Sequence, residues 1–220
     1  MKTPSTIITT LIIAGTNFVQ ASILPSSTDL WDISQGNSIV GTSGILSTFY
    51  SSDARDMFGG NFTTWPGDGG HTIFRDGMPT GFTHYINWHT ATPVTVRSFN
   101  LFAFGDGPDY GNEREFDSFT LRAKSSPSSS TYDLMLYSTS LAHPYNFIDA
   151  ANYALISANI TAVTAQDFKA EFVQINGGRG YDGPRVVELD AFAVQVPEPT
   201  VISLAGLAVL CLRRSLFRKQ

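Results

Sequence analysis

The sequence of 220 residues is poor in cysteine and in charged side chains. Its single cysteine, Cys211, excludes a disulfide within the chain. Charged residues make up only 15% of the chain, whereas hydrophobic residues make up 42% and aromatic residues 12%. Such a chain can bury an apolar core, which excludes intrinsic disorder. The composition also disfavours a coiled coil, which would be dominated by Ala, Glu, Lys and Leu.

The sequence also lacks the common motifs of catalytic and metal sites. It contains no Gly-x-Ser-x-Gly, no His-Glu-x-x-His and no catalytic cysteine, and nothing local identifies an acid/base carboxylate pair. On one strand, His84 and His89 would point to opposite faces, so they cannot share a metal ion. The sequence therefore predicts a protein that is not an enzyme. A glycoside hydrolase without a recognisable motif is the remaining enzymatic alternative.

The N-terminal residues 1–21 have the pattern of a secretory signal peptide. Lys2 gives a positive start, an apolar stretch covers residues 6–15, and Ala21 precedes Ser22 at a position typical of cleavage. A buried N-terminal helix is the alternative. We therefore expect the Sec export machinery to carry the chain out of the cytoplasm. The signal peptide is expected to be removed in this process.

The C-terminal residues 197–220 combine a proline boundary, a short apolar segment and a basic end. The basic end consists of Arg213, Arg214, Arg218 and Lys219. Pro197 and Pro199 flank Glu198 and interrupt regular structure. The segment 201–212 would form a helix about 18 Å long, shorter than the roughly 30 Å hydrocarbon core of a bilayer. Because cations favour the cytoplasmic side, the arrangement predicts a temporary transmembrane anchor with the domain outside.

This tail resembles the PEP-CTERM sorting signal of bacterial exported proteins, through Pro197-Glu198-Pro199, the apolar helix and Arg213-Arg214. The resemblance covers residues 197–220. It implies an exosortase, an integral-membrane processing enzyme, as a partner in a Gram-negative bacterium that makes exopolysaccharide. It also implies transient attachment to the inner membrane before the protein reaches the cell surface or the extracellular matrix. An ordinary tail-anchored protein is the alternative.

Residues 22–196 are predicted to form a single all-β domain. Short runs of alternating apolar and polar residues are separated by clusters of Gly, Pro, Asn, Asp and Ser, and in the run 82–89 the alternation places His84 and Trp88 on one face. About eight such strands predict an antiparallel β-sandwich or jelly roll. One or two helical turns are expected over residues 149–158. The predicted strands are 45–50, 82–89, 94–104, 117–124, 132–137, 168–175 and 185–194.

The order of several segments resembles the galactose-binding-like sandwich of discoidin and coagulation-factor type C domains. These segments are residues 74–77, 85–88, 98–102, 116–121 and 183–189. In that family an Asp-Gly turn and a glutamate in the last strand often help to bind a structural Ca²⁺. Asp76 and Glu188 stand at the matching positions. The resemblance therefore implies carbohydrate binding, with Asp76 and Glu188 as ligands of a structural Ca²⁺.

Aromatic and acidic side chains in the predicted loops, Tyr181 among the aromatic ones, could form a carbohydrate site. An exposed ring fits the apolar face of a pyranose, and polar groups fit its hydroxyls. If successive strands run antiparallel, the loops 51–81, 105–115 and 139–167 open at the same end of the sandwich. Each aromatic could instead cap the core. The predicted ligand-binding residues are Trp65, Asp68, Asp106, Asp109, Tyr110 and Tyr145.

The net charge of the predicted domain limits the classes of partner that it can bind. Residues 22–196 contain 18 acidic and 9 basic side chains, a net charge of −9. This charge suits solubility outside the cell and disfavours nucleic acid and anionic membrane surfaces as partners. The sequence thus predicts a non-enzymatic surface or matrix protein that binds polysaccharide, with exopolysaccharide as the expected partner. A purely structural envelope or matrix protein without a ligand is the alternative.

Overall fold

The structure is a computed structural model. It describes residues 28–46, 52–59, 70–105, 114–142, 153–175, 177 and 181–194. The predicted signal peptide 1–21 and sorting signal 197–220 lie outside these ranges. Within them the chain is all-β apart from a 3₁₀ turn at Ile33–Gln35. No helix of the described ranges is long and apolar enough to span a membrane.

Seven antiparallel strands form one connected hydrogen-bonded network, which confirms the predicted all-β class. The strands are β1 Ser38–Thr42, β2 Thr72–Ile73, β3 Thr83–Phe104, β4 Phe116–Ala123, β5 Leu134–Ser140, β6 Tyr153–Gln174 and β7 Arg185–Phe192. Their order is β2-β7-β3-β6-β4-β5, and β1 pairs with β3 at the side of this path. The two longest strands, β3 and β6, therefore lie at the centre of the network.

The long antiparallel pair of β3 and β6 organises the fold. Each strand has 22 residues, and the two pair along most of their length. The register shifts between His89 and Val94, on either side of Pro93. Because proline has no N–H to donate, a sheet accepts it at an edge or at such an irregularity. The predicted strands 82–89 and 94–104 are consequently the two halves of a single strand.

The two halves of this antiparallel pair belong to two layers that pack face to face. The first half of β3 pairs with β1 and the end of β6, whereas the second half pairs with β7 and the start of β6. Phe99, from the second half, has its ring centroid 5.8 Å from that of Phe119 in β4 and 5.0 Å from that of Tyr137 in β5. Since β4 and β5 extend the first layer, these contacts cross between the layers. The predicted β-sandwich is confirmed.

The alternation predicted for the run 82–89 is confirmed as well. His84 and Trp88 are both fully buried, whereas the residues between them, other than Ile86, are only partly buried. Trp88 lies in an aromatic cluster, with its ring centroid 4.9 Å from that of Trp31 and 5.7 Å from that of Phe168. This cluster joins the N-terminal segment to both long strands.

The prediction of helical turns over residues 149–158 is wrong from Tyr153 onward, because β6 begins there. Residues 154–157 alternate between buried and exposed, as a strand requires. The prediction that residues 139–167 form a loop is likewise wrong from Tyr153 onward, where β6 runs. The order of this weakly apolar segment comes from pairing with β3, which local sequence preference does not reveal.

Two short strands, β1 and β2, were not predicted, because two to five residues are too few for a clear alternation. The predicted strand 45–50 is represented within the described ranges only by an isolated bridge between Ile45 and Phe74. Residues 47–51 lie outside those ranges. β5 begins and ends later than the predicted strand 132–137.

Candidate functional site

One end of the sandwich brings together the turn after β2, the start of β4 and the loop before β7. We call this region the loop end. Its described members are residues 74–77, 114–116 and 181–185. The main-chain N–H of Arg185 donates to the carbonyl oxygen of Arg114 at 3.2 Å. The N–H of Gly77 donates to the Asp182 carboxylate at 2.7 Å. These bonds hold three segments that are distant in sequence against one another.

The guanidinium of Arg114 is fully buried at the loop end. It forms an ion pair with the Asp76 carboxylate and donates through Nη1 to the carbonyl oxygen of Gly183 at 3.0 Å. Asp76 also accepts from the N–H of Gly183 at 2.9 Å. A Cβ at Gly183 would lie 2.1 Å from the carbonyl oxygen of Phe74, so the close approach requires glycine. A buried cation needs such partners, because an unpaired buried charge is costly.

Tyr181 presents an aromatic ring at the surface of the loop end. The residue is 49% exposed, and its φ of 99° is a left-handed conformation that residues other than glycine rarely adopt. The guanidinium carbon of Arg114 lies 5.7 Å from the ring centroid, within the range of a cation–π interaction. The neighbouring Asp182 is fully buried and anchors the loop. Backbone conformations of this cost are concentrated at functional sites.

The predicted ligand-binding residues lie outside the described ranges. They are Trp65, Asp68, Asp106, Asp109, Tyr110 and Tyr145. Two of the loops that contain these residues begin or end at adjacent strand ends, because Phe104 at the end of β3 pairs with Tyr153 at the start of β6. Ala103 also pairs with Val186 near the start of β7, so the loop before β7 ends beside them. The predicted grouping omitted that loop. Tyr181 could be recognised in the sequence as a loop aromatic, but no local pattern indicates Arg114 as its partner.

A second cluster consists of three carboxyl groups, Asp29, Glu188 and Asp190, which we call the carboxylate triad. Each is at most 4% exposed, and one carboxyl oxygen from each lies within 4.8 Å of the others. Asp29 Oδ1 accepts from the N–H of Ala191 at 2.7 Å, and Glu188 accepts from the N–H of Gly59 at 2.8 Å. Among the described residues, no Lys, Arg or His forms an ion pair with the triad.

Burial raises the pKa of every member of the triad. It raises the pKa of Asp29 to about 7, with a further contribution from the charge of Asp190. Burial is the main cause of the raised pKa of Glu188, and the charge of Asp190 is the second cause. Burial also raises the pKa of Asp190. One carboxyl oxygen from each of the three groups lies within 4.8 Å of the others, so charges on them repel one another. Three negative charges are therefore unfavourable here without a counter-charge.

The two Ca²⁺ ligands implied by the resemblance have different surroundings. Glu188 belongs to the triad, whose oxygen donors suit Ca²⁺. Two oxygens on opposite sides of a Ca²⁺ are about 4.6–5.2 Å apart, since each Ca–O distance is about 2.3–2.6 Å, so the spacing within the triad fits the ion. Asp76 is not part of the triad, and its carboxylate is engaged by Arg114 and Gly183. The described residues thus fit Ca²⁺ at the triad, while Asp76 already has a cationic partner.

His84 and His89 have separate partners, in keeping with their opposite orientations. His84 Nε2 lies 2.6 Å from Oε1 of Gln174. Because the amide nitrogen of Gln174 donates to the carbonyl oxygen of Met78, His84 is the donor in this bond. Burial lowers the pKa of His84, which favours its neutral form. His89 Nδ1 lies 3.0 Å from the Asp167 carboxylate, so the two rings serve different local contacts.

No protein-family model matches the chain, and no curated protein matches it. Among solved structures, it is similar to the family 32 carbohydrate-binding module of Streptococcus pneumoniae EndoD, at 12% identity and a TM-score of 0.44, covering 74% of this chain and 98% of that one. It is similar to the lectin domain of lectinolysin, solved with Lewis B antigen, at 14% identity and a TM-score of 0.49, covering 76% and 97%. It is also similar to a fragment of a putative chitobiase from Bacteroides thetaiotaomicron, at 11% identity and a TM-score of 0.48, covering 81% and 98%.

Proposed function

We propose that this chain is an exported, non-enzymatic protein that binds a polysaccharide through the loop end of its sandwich. The observation that carries the proposal is the exposed ring of Tyr181, held at a φ of 99° beside the buried Arg114. A surface aromatic that keeps a costly backbone conformation indicates selection for its position rather than for stability. The resemblance of the sequence to galactose-binding-like domains supports the same function.

The geometry of the loop end suits a sugar. A rigid aromatic side chain offers a large contact surface at little cost in conformational entropy. The ring of Tyr181 could pack against the apolar face of a pyranose, while polar groups at the rim bind its hydroxyls. Arg114 and Asp182 are buried beneath this surface, so they fix the ring in place. The predicted residues Asp106, Asp109 and Tyr110 follow β3 in the sequence, and we propose that they supply further contacts.

Replacing Tyr181 with alanine is expected to weaken polysaccharide binding by about tenfold or more, because aromatic hot spots at binding sites typically contribute about 2 kcal/mol or more. Titration calorimetry of the purified protein against a panel of soluble polysaccharides would measure the loss. Tyr132→Ala provides a matched control. Tyr132 also lies beside a cation, with the Lys124 Nζ 5.5 Å from its ring centroid, but next to the β4–β5 turn at the far end of β4.

The control and the panel separate the alternatives. Equal losses for the Tyr181 and Tyr132 variants would contradict the proposed site. Failure of the unmodified protein to bind any glycan would favour a purely structural envelope or matrix protein. Release of reducing sugars from the panel would instead support a glycoside hydrolase.

We propose further that residues 1–21 and 197–220 direct export and sorting. The support is the sequence pattern alone: an apolar segment after Lys2 at one end, and Pro197-Glu198-Pro199 before an apolar segment and Arg213-Arg214 at the other. The implied partners are the Sec export machinery and an exosortase. The implied path runs through transient inner-membrane attachment to the cell surface or the extracellular matrix.

Cell fractionation tests this path. In a strain with an exosortase, the chain carrying an epitope after Gln220 is expected to reach the outside in a form that has lost the epitope. In a strain without the exosortase, it is expected to keep the epitope and remain with the inner membrane. Immunoblots of the fractions against the epitope and against the domain would show both results. Uncleaved protein in the cytosol of both strains would contradict the proposal.

A further inference from the structure

The edges of the two layers differ in how open they are to a further strand. An edge strand presents main-chain N–H and C=O groups that another chain can pair with, and native proteins usually protect such edges. β2 is only two residues long, and β1 and β5 each pair with a neighbour across a register shift. β7 is covered beyond β2, because the N-terminal segment and the turn around Met57 bond to main-chain atoms of Ala191 and Leu189. Each of these edges is therefore short, irregular or covered.

Within the described ranges, the first half of β6 is protected in none of these ways. Residues 154–158 pair with residues 99–103 of β3 in consecutive order, without a register shift. β4 flanks β6 only from residue 168 onward. No other described strand lies beside 154–158, which we name the open edge. A strand of this length is long enough to pair with a further strand.

The sequence around the open edge has none of the residues that discourage strand pairing. Residues 151–166 contain no charged residue, no proline and no glycine, whereas residues 22–196 as a whole carry a net charge of −9. Charged residues and proline are the usual means by which an edge strand is kept from pairing with another chain. Because like charges on facing strands are destabilising, two acidic copies of this chain can approach along this segment without that penalty.

The side chains of the open edge alternate between the core and the surface. Ala154 and Ile156 are buried, and Ala158 packs against the core. Leu155 is 39% exposed, and Ser157 is exposed as well. An antiparallel pairing of the open edge with itself in full overlap is centred on Ile156 and places Ala154 opposite Ala158. Since opposite residues project from the same face, the core-facing residues of two copies then lie side by side.

We propose that the open edge joins two copies of this chain by antiparallel pairing of β6 with β6. The second layer of one copy then continues into the second layer of its partner, and each copy supplies partners for the main-chain groups of the other. A second copy fits this edge because the pattern is self-complementary and carries no charge for a partner of opposite sign. The resulting interface is two-fold symmetric, as in most protein dimers.

Pairing of β6 with β6 gives one particle two loop ends. This consequence rests on the proposed function, whereas the pairing itself does not. Two sites on one particle bind a repeating polymer more tightly than one site does, because the second contact is intramolecular. Failure of the protein to bind any glycan would therefore contradict the proposed function and leave the dimer measurements unaffected.

Hydrogen exchange, followed by mass spectrometry, tests the pairing on the unmodified full-length protein in a detergent that shields the apolar segment 201–212. The outward-facing amides of the open edge are expected to exchange slowly at high protein concentration and faster after dilution, because dissociation returns them to water. Residues 134–140 of β5 are expected to show no such response to dilution. Sedimentation velocity over the same concentrations is expected to show a dimer that passes into a monomer.

Charge placed on the open edge tests its role. Ser157→Lys is expected to raise the dissociation constant of the dimer about tenfold or more, because the two-fold axis brings the two lysines close together. Ser138→Lys is the matched control, since Ser138 is also an exposed serine on an edge strand, β5. It should leave the dimer unchanged.

A cross-link tests the register. In a Cys211→Ser background, a chain with both Leu155→Cys and Ser157→Cys is expected to form a disulfide-linked dimer. The proposed register places residue 155 of one copy opposite residue 157 of the other. Opposite residues of an antiparallel pair have Cα atoms about 4.5–5.5 Å apart, which a disulfide can span.

Three results would overturn the proposal. The first is a monomer at every concentration, or slow exchange of the open edge that does not depend on concentration, which would mean that a single chain covers this edge. The second is a dimer that Ser138→Lys weakens as much as Ser157→Lys does. The third is a dimer that persists in Ser157→Lys and forms no cross-link through residues 155 and 157. Hydrogen exchange needs only the unmodified protein, so a variant that fails to fold does not prevent the test.

Discussion

Replacing Arg114 with methionine is expected to lower the free energy of unfolding by about 3–5 kcal/mol. The reason is that removing one member of a buried ion pair leaves the other without compensation. The Asp76 side chain is only 18% exposed, so water replaces the guanidinium poorly. The carbonyl oxygen of Gly183 would also lose its donor. Urea-induced unfolding, followed by tryptophan fluorescence, would measure the change.

Two further variants show whether burial causes this effect. Arg114→Met combined with Asp76→Asn is expected to cost less than the sum of the two single substitutions, because the pair is removed together. Arg55→Met removes an ion pair with Asp53 whose side chains are 65% and 45% exposed, and it should have no measurable effect. If Arg114→Met were as mild as Arg55→Met, the ion pair at the loop end would not be the stabilising contact described here.

Replacing Trp88 with alanine is expected to cost about 3–5 kcal/mol of unfolding free energy, the usual range for a large buried aromatic. Trp88 is fully buried, and its ring centroid lies 4.9 Å from that of Trp31 and 4.9 Å from that of Phe58. Alanine would leave a cavity between the N-terminal segment, the turn before β2 and the first layer of the sheet. Equilibrium unfolding in urea, followed by circular dichroism, would measure the loss.

The control for the tryptophan is an exposed apolar residue in the same sandwich. Met135 in β5 is 58% exposed, so Met135→Ala is expected to change stability by no more than about 0.5 kcal/mol. A comparable loss in both variants would mean that unfolding does not depend on the aromatic cluster. A small loss in Trp88→Ala alone would mean that the cluster collapses around the missing ring.

The parts of the fold that could be predicted are those in which one strand carries its own pattern. The alternation around His84 and Trp88 places both on the buried face, and the structure confirms it. The start of β6 could not be predicted in this way, because residues 153–158 are ordered by their pairing with residues 99–104 of β3. The sequence predicts separate strands on either side of Pro93, since a proline usually ends a strand unless a register shift accommodates it.

The candidate sites also contain some residues that a local sequence pattern reveals and others that only the pairing of distant segments reveals. Tyr181 is recognisable in the sequence as an aromatic residue in a glycine-rich loop, and Glu188 is recognisable through a family resemblance. Their neighbours are not recognisable, because Arg114 reaches Tyr181, and Asp29 reaches Glu188, only across contacts between distant segments. The assignment of Asp76 to a metal rested on its place in an Asp-Gly turn. In the structure its carboxylate forms an ion pair with the buried Arg114, and the metal assignment stays a prediction.

The sequence by itself determined that the described part of the chain is all-β apart from one 3₁₀ turn, which faces of its clearest strands are buried, and that residues 22–196 carry a net charge of −9. These properties follow from composition and from a two-residue periodicity, which are local. Only the tertiary structure decided that Asp29, Glu188 and Asp190 share one buried place and that Arg114 supports Tyr181. Those arrangements depend on strand register and on the packing of the two layers, and a register is a property of paired segments that neither segment encodes alone.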